Sequence, residues 1–176
     1  ISAGASITIL TSLPNPKTGV EAIVTAHLLG YSLSETESAR HIVSLMHNNL
    51  SGDQIGSTLN WLGSGSRTIN DDSPNLTLND GSNVFYIQNT STDGNSSPYL
   101  DYFEIHYGRE LYFSDTYEFT SPISDQDLRF TFSGTPSSTE MIWNISEIEN
   151  PTNVSISSCG TIDVTIPSNT KSQFIL

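Results

Sequence analysis

One cysteine and four histidines, with several pairs of closely spaced carboxylates, are the residues in this chain whose chemistry could reach beyond packing. A nucleophilic cysteine needs a neighbouring base, usually a histidine, to form its thiolate. Cys159 lies in "SISSCGTIDV", and His27, His41, His47 and His106 all stand far upstream of it. A lone cysteine between two strand-like runs reads as a packing or turn residue, so no catalytic residue is expected. His41 and His47 share one strand face with Val43 and Leu45 between them. Zinc sites favour closer or loop-presented spacing, so no metal pair is expected there. Asp71-Asp72 and Asp125-x-Asp127 fall in loop-like segments that could offer oxygens to calcium, without EF-hand spacing. The sequence has no phosphate-binding glycine loop, no nucleophile elbow and no H-E-x-x-H.

Asp101 poses the sharpest question. "YLDYFEIHYGREL", residues Tyr99 to Leu111, alternates apolar and polar residues as a strand does. Tyr99, Asp101, Phe103, Ile105 and Tyr107 then share one face, and Leu100, Tyr102, Glu104 and His106 share the other. A carboxylate beside Phe103 and Ile105 is costly without a partner. One reading makes it a cap for backbone amides of the preceding loop "STDGNSSP"; the others make it a structural calcium ligand or part of a binding site. Asp101, Asp71 and Asp72 are therefore the calcium candidates, and structural calcium is the one cofactor considered. Asp101 and Glu104 point to opposite faces unless a bulge intervenes, which argues against a glycosidase acid/base pair. Trp61, Tyr99, Tyr102 and Tyr112 are candidates for a sugar-stacking platform if their rings are exposed, and for core if not.

The elements that must position these residues are almost all strands and turns. "SITIL", "VEAIVTAHLLGYS", "RHIVSLMHNN" and "TLNWLG" read as strands, and "LTLNDGSNVFYIQN" as a hairpin with Asp80-Gly81 at its tip. "SGSRTINDDSPN" reads as a loop. Further short strands follow, "YEFTSP", "DLRFTFSG", "EMIWNIS", "NVSISS", "TIDVTIP" and "SQFIL", with a soft boundary at residues 120–127. Many short strands between turn signals indicate a sandwich or barrel.

Composition narrows the function classes. The 176 residues carry a net charge of −13 with only 6 Lys+Arg, so a phosphate backbone would be repelled and nucleic-acid binding is not expected. Only 14% of residues are charged, and Ser, Thr and Asn supply most of the polarity, as is common in secreted proteins. One cysteine allows no intrachain disulfide, and no apolar run is long enough to span a bilayer, so no membrane insertion is expected. The start, "ISAGASITIL", has neither Met nor a signal peptide and reads as a piece of something longer.

Taken in order, several stretches resemble one known arrangement. "VEAIVTAHLLGYS", "HIVSLMHNNLSGDQIGSTLNWLG", "LTLNDGSNVFYIQN", "YLDYFEIHYGREL" and "FTFSGTPSSTEMIWNISEIENP" are together similar to the β-rich region that precedes the catalytic domain in gingipain-type cysteine peptidases and in the related sortases of type IX secretion. That family's catalytic domain, with its Gly-His-Gly-like histidine and following cysteine, has no counterpart here, and Asn144 and Glu149 stand where the family pattern has acids.

The resemblance implies a non-catalytic accessory β domain, a spacer, docking or pro-region-like piece, of a secreted or cell-surface peptidase whose catalytic domain is absent from this chain. A carbohydrate-binding or adhesion module is the alternative. The expected fold is all-β: a jelly-roll-like β-sandwich over residues 1–122, then a small β segment over 123–176 that packs on it and leads to a missing downstream domain. The expected core is Val24, Ala26, Leu28, Val43, Leu45, Phe85, Ile87, Phe103 and Ile105. The expected partners are the downstream domain and, under the alternative, glycans. Phe174, Ile175 and Leu176 are expected to be poorly ordered or paired at a sheet edge.

Overall fold

A computed structural model of the chain describes residues 1–71, 76–113, 116, 118–121, 128–134, 140–157, 160–164 and 171–176. Its regular structure is all β, with no helix among the described residues. The chain divides into two compact units, Ile1–Arg109 and Glu110–Leu176. That division lies earlier than the boundary expected at 122–123. The reason is local. Phe113 is buried in the core of the second unit, and Tyr112 bridges to Ser133 there.

The first unit is a two-layer sandwich. Its strands are β1 (Ser6–Leu13), β2 (Ile23–Leu29), β3 (Arg40–His47), β4 (Asp53–Leu62), β5 (Ser66–Asp71), β6 (Gly81–Asn89) and β7 (Tyr99–His106). They form a four-stranded sheet in the order β1-β6-β3-β4 and a three-stranded sheet in the order β5-β2-β7, with antiparallel pairing throughout. Apart from the β3–β4 hairpin, each strand passes to the other sheet, so the period-two alternation of every strand feeds one shared interior. Val24, Ala26, Leu28, Val43, Leu45, Phe85 and Ile87 are fully buried in that interior, as expected, and Phe103 and Ile105 pack against it half-buried. Each Val, Leu, Ile or Phe side chain fully buried there contributes about 1.5–3 kcal/mol.

Two segments differ from the sequence reading. Residues 76–79 are not strand, so "LTLNDGSNVFYIQN" is no hairpin; β6 is a central strand between β1 and β3 instead. Asp80 still stops the turn, accepting the Asn15 amide at 2.9 Å, and Gly81 takes φ 83°. Residues 66–71, read as loop, form the edge strand β5, whose Ile69 is buried in the core. A single apolar residue among Ser, Arg, Thr, Asn and Asp gives too weak an alternation to reveal that strand.

The second unit contains β8 (Glu118–Thr120), β9 (Leu128–Thr131), β10 (Ile142–Asn144), β11 (Thr152–Val154), β12 (Thr161–Val164) and β13 (Gln173–Ile175). One sheet runs β11-β10-β13-β8, and β12 pairs with β9. The strands are short, and phenylalanines supply the core. Phe119 stacks on Phe174 at 5.1 Å and meets the edges of Phe130 and Phe132, while Phe113 stacks on Phe132 at 4.8 Å. The expectation for the last residues is corrected here. β13 is an interior strand between β10 and β8, and Phe174 is fully buried because the Phe119 and Phe130 rings close over it.

Candidate functional site

The question of Asp101 is answered by a break in register. Along β2 and β7, His27 stands opposite Tyr102, but Leu28 stands opposite Leu100. Asp101 is the extra residue of a β-bulge, which reverses the alternation on its N-terminal side. Leu100, Phe103 and Ile105 therefore all pack against the core, while Tyr99, Asp101, Tyr102 and Glu104 are all exposed. Asp101 does not share a face with Phe103 and Ile105 after all. The carboxylate costs little because it stays in water and has a partner: its Oδ2 lies 3.0 Å from His27 Nδ1. Tyr102 lies parallel to the His27 ring, at 5.0 Å and 9°.

The expectation that Asp101 caps the preceding loop is corrected by the same observation. Another acid does that work. Asp93, inside the loop, accepts the Arg40 amide at 2.8 Å and the Asn95 amide at 3.0 Å. Those two N–H donors hold the Asp93 carboxyl below the usual carboxylate range.

The outer face of the β5-β2-β7 sheet can be read row by row from its register. Leu29 pairs with Tyr99, His27 with Tyr102, Thr25 with Glu104 and Ile23 with His106; on the other side Thr68 and Asn70 stand beside His27 and Thr25. Thr25 Oγ1 donates to Asn70 Oδ1 at 2.9 Å. Tyr31 extends the row beyond Leu29, its ring 5.1 Å from that of Tyr99. Tyr31, Tyr99 and Tyr102 are 44%, 52% and 43% exposed. Tyr31 was not among the stacking candidates; the sequence reading ran the strand through it, whereas β2 ends at Leu29.

Trp61 does not belong to this platform. It is buried, and its ring packs 4.7 Å from His41. His41 and Trp61 stand opposite each other on β3 and β4 and both point into the core. His41 is fully buried, with Nδ1 2.8 Å from Ser96 Oγ. Asn89 donates to the same hydroxyl at 3.0 Å and to the Ile1 carbonyl at 2.9 Å, and the Ile1 nitrogen donates to the Pro98 carbonyl at 2.6 Å. This network ties the segment before β1 and the loop before β7 to the sandwich. Burial pushes the His41 imidazole below its ordinary value, opposed by the Gly63 carbonyl and by Asp93. His47 is satisfied separately, its Nε2 3.0 Å from Asn83 Oδ1 and its ring stacked on Phe85. The two histidines share a strand face, as expected, but each has its own partner.

Asp72, Asp125, Asp127 and Cys159, and the side chain of Asp71, lie outside the described residues. Among the described residues no group of three or more His, Cys, Asp or Glu side chains is arranged to hold a metal. Tyr112 is half-buried and donates to Glu110 at 3.2 Å. His106 and Glu104 approach to 3.9 Å at the exposed end of β7. No helix among the described residues is long and apolar enough to cross a membrane.

No protein-family model matches the sequence, and no curated protein matches it. Among solved structures the chain is similar to the crystal structure of dimeric latent PorU from Porphyromonas gingivalis, with a TM-score of 0.73 and 13% identity. The likeness covers 99% of this chain and 18% of that one. At this identity it is a likeness of fold: the β architecture of this chain recurs within a much longer protein.

Proposed function

We propose that this chain is a non-catalytic β region of a larger secreted or cell-surface protein built like PorU, and that it spaces or docks the rest of that protein. The observation that carries this reading is the extent of the fold likeness, which takes in nearly all of this chain and only 18% of PorU. The sequence resemblance to the β-rich region ahead of gingipain-type catalytic domains points the same way. The Ser, Thr and Asn-rich, weakly charged composition suits an extracellular surface.

Docking to a downstream domain of the same polypeptide needs an apolar surface with a polar rim. In the second unit, Trp143 and Met141 are 37% and 54% exposed, and Trp143 stands opposite Ile175 on the last strand. They are the surface on which such a domain would sit.

The reading is tested by assaying the purified chain against peptide substrates, beside a Cys159→Ser variant. No hydrolysis is expected from either. Hydrolysis by the chain that is lost in the variant would overturn the non-catalytic reading. A coding sequence that runs past Leu176 into an α/β domain with a histidine and a cysteine would extend it to a peptidase-associated domain.

A further inference from the structure

We propose that the outer face of the β5-β2-β7 sheet binds a neutral, hydroxyl-rich saccharide chain, laid along the row Tyr31, Tyr99 and Tyr102 with the His27–Asp101 pair beside it. This does not depend on the PorU-like reading, because it rests on the face itself.

Large exposed rings are informative when they fall in one row, here with Tyr31 and Tyr99 tilted 53° to each other so that the row is a twisted one. Tyr99 and Tyr102 project opposite Leu29 and His27, two residues apart on β2, which is about 7 Å along the strand. That is on the scale of neighbouring sugar rings. Tyrosine presents an apolar ring with a polar tip, which suits a ligand that is apolar on its C–H faces and hydroxylated at its rim. The hydroxyls of Tyr31, Tyr99 and Tyr102 have no partner among the described residues, and neither has Asp101 Oδ1, since the His27 contact uses Oδ2.

The fixed geometry matters as much as the exposure. The bulge turns Asp101 outward to stand beside Tyr102, and the parallel His27 ring holds Tyr102 in one orientation. A ring already held in place loses less freedom when a ligand stacks on it. The charge of the face selects the ligand. Asp101 and Glu104 are its acids, the outward positions of β2 and β7 carry no lysine or arginine, and the one exposed cation of β5, Arg67, stands opposite the inward Leu28. An anionic polymer is therefore repelled, while carboxylates that accept hydroxyl protons suit a neutral one.

The test is calorimetric titration of the full chain with soluble neutral glucan, galactan, mannan and xylan, and with polygalacturonate as the anionic control. Binding to at least one neutral polymer is expected, and none to polygalacturonate. Tyr99→Ala and Tyr102→Ala should each weaken it roughly tenfold. Both side chains are exposed, so folding should be kept, which circular dichroism checks. Leu10→Ser, on the four-stranded sheet, should leave binding unchanged. The proposal is overturned if no neutral polymer binds, if the tyrosine variants bind like the parent, or if Leu10→Ser loses as much as they do. It is also overturned if sedimentation shows the chain self-associating through this face, with Tyr99→Ala and Tyr102→Ala abolishing the association.

Discussion

On the outer face of the β1-β6-β3-β4 sheet, Ser44 meets Thr58 at 2.9 Å, and Met46 stands between Tyr86 and Gln54 with 8% of its surface left in water. On the outer face of the β5-β2-β7 sheet, Tyr99 and Tyr102 stand half in water around a histidine and a carboxylate. Both faces belong to one unit and rest on one core. The difference comes from position in the sheet. β3 is interior, with strands on both sides that cover its outward side chains. β7 is an edge strand with a neighbour on one side only, and its bulge doubles the outward residues at Asp101 and Tyr102. At β3 the outward side chains are covered by their neighbours, and at β7 they are left open to water.

Because the two faces share a core, the largest effect should come from Phe85, which touches His47 of one sheet and Phe103 of the other. Phe85→Ala should cost about 3–5 kcal/mol and loosen both faces together. Denaturant unfolding followed by strand-resolved hydrogen exchange checks this. Faster exchange in one sheet alone would mean that the sheets are stabilised independently.

Next in size is Gly30→Ala. A Cβ there would lie 2.1 Å from the Gly63 carbonyl oxygen and 2.8 Å from Trp61 Nε1. Backbone must shift to admit it, at about 1–3 kcal/mol by analogy with overpacked cores, and a lower urea midpoint at unchanged slope is expected. A midpoint equal to the parent's would show that the strand end after β2 is not tightly packed.

The pH dependence of stability tests the buried histidine of the core. The folded state holds His41 below its ordinary value of 6.5. Once the pH falls under that value the unfolded chain takes up a proton that the folded chain does not, so stability is fully present above it and declines below it. The decline ends when the pH passes the folded value as well. Urea midpoints at pH 7.5 and below 6 should separate, and His41→Gln should remove part of the separation. An unchanged separation in that variant would assign it to other groups.

The smallest effect is expected at the exposed pair. Asp101 is half-exposed, so water screens its contact with His27, and Asp101→Ala should change stability by at most about 1 kcal/mol. A larger loss would make Asp101 a structural residue and remove the reason for regarding its face as the available one.

How much of this was legible in the sequence depends on what each residue's neighbours do. Val24, Ala26 and Leu28, or Phe85 and Ile87, announce a core face because alternation inside a regular strand is enough to place them. Asp101 was conspicuous because regular alternation puts its carboxylate on the apolar face, and the bulge that takes it off that face was not readable. A bulge is a relation between two strands, and one strand's sequence carries no sign of it. Trp61 and Tyr102 looked alike as aromatic strand residues. One is buried because its ring points into the core beside His41, and the other is exposed because it stands on the outer face beside His27. The terminal "SQFIL" seemed to end without a place to go, yet Phe174 is central, since strands distant in the chain flank it on both sides.

The most direct test of the claim that the three-stranded face is the working surface is to map amide shifts by NMR while titrating the chain with the neutral polymer that binds in calorimetry. Perturbed amides should cluster at Thr25, His27, Tyr31, Tyr99 and Tyr102, with Thr8, Ser44 and Tyr86 unmoved. Shifts centred on Thr8, Ser44 and Tyr86 instead would contradict the account.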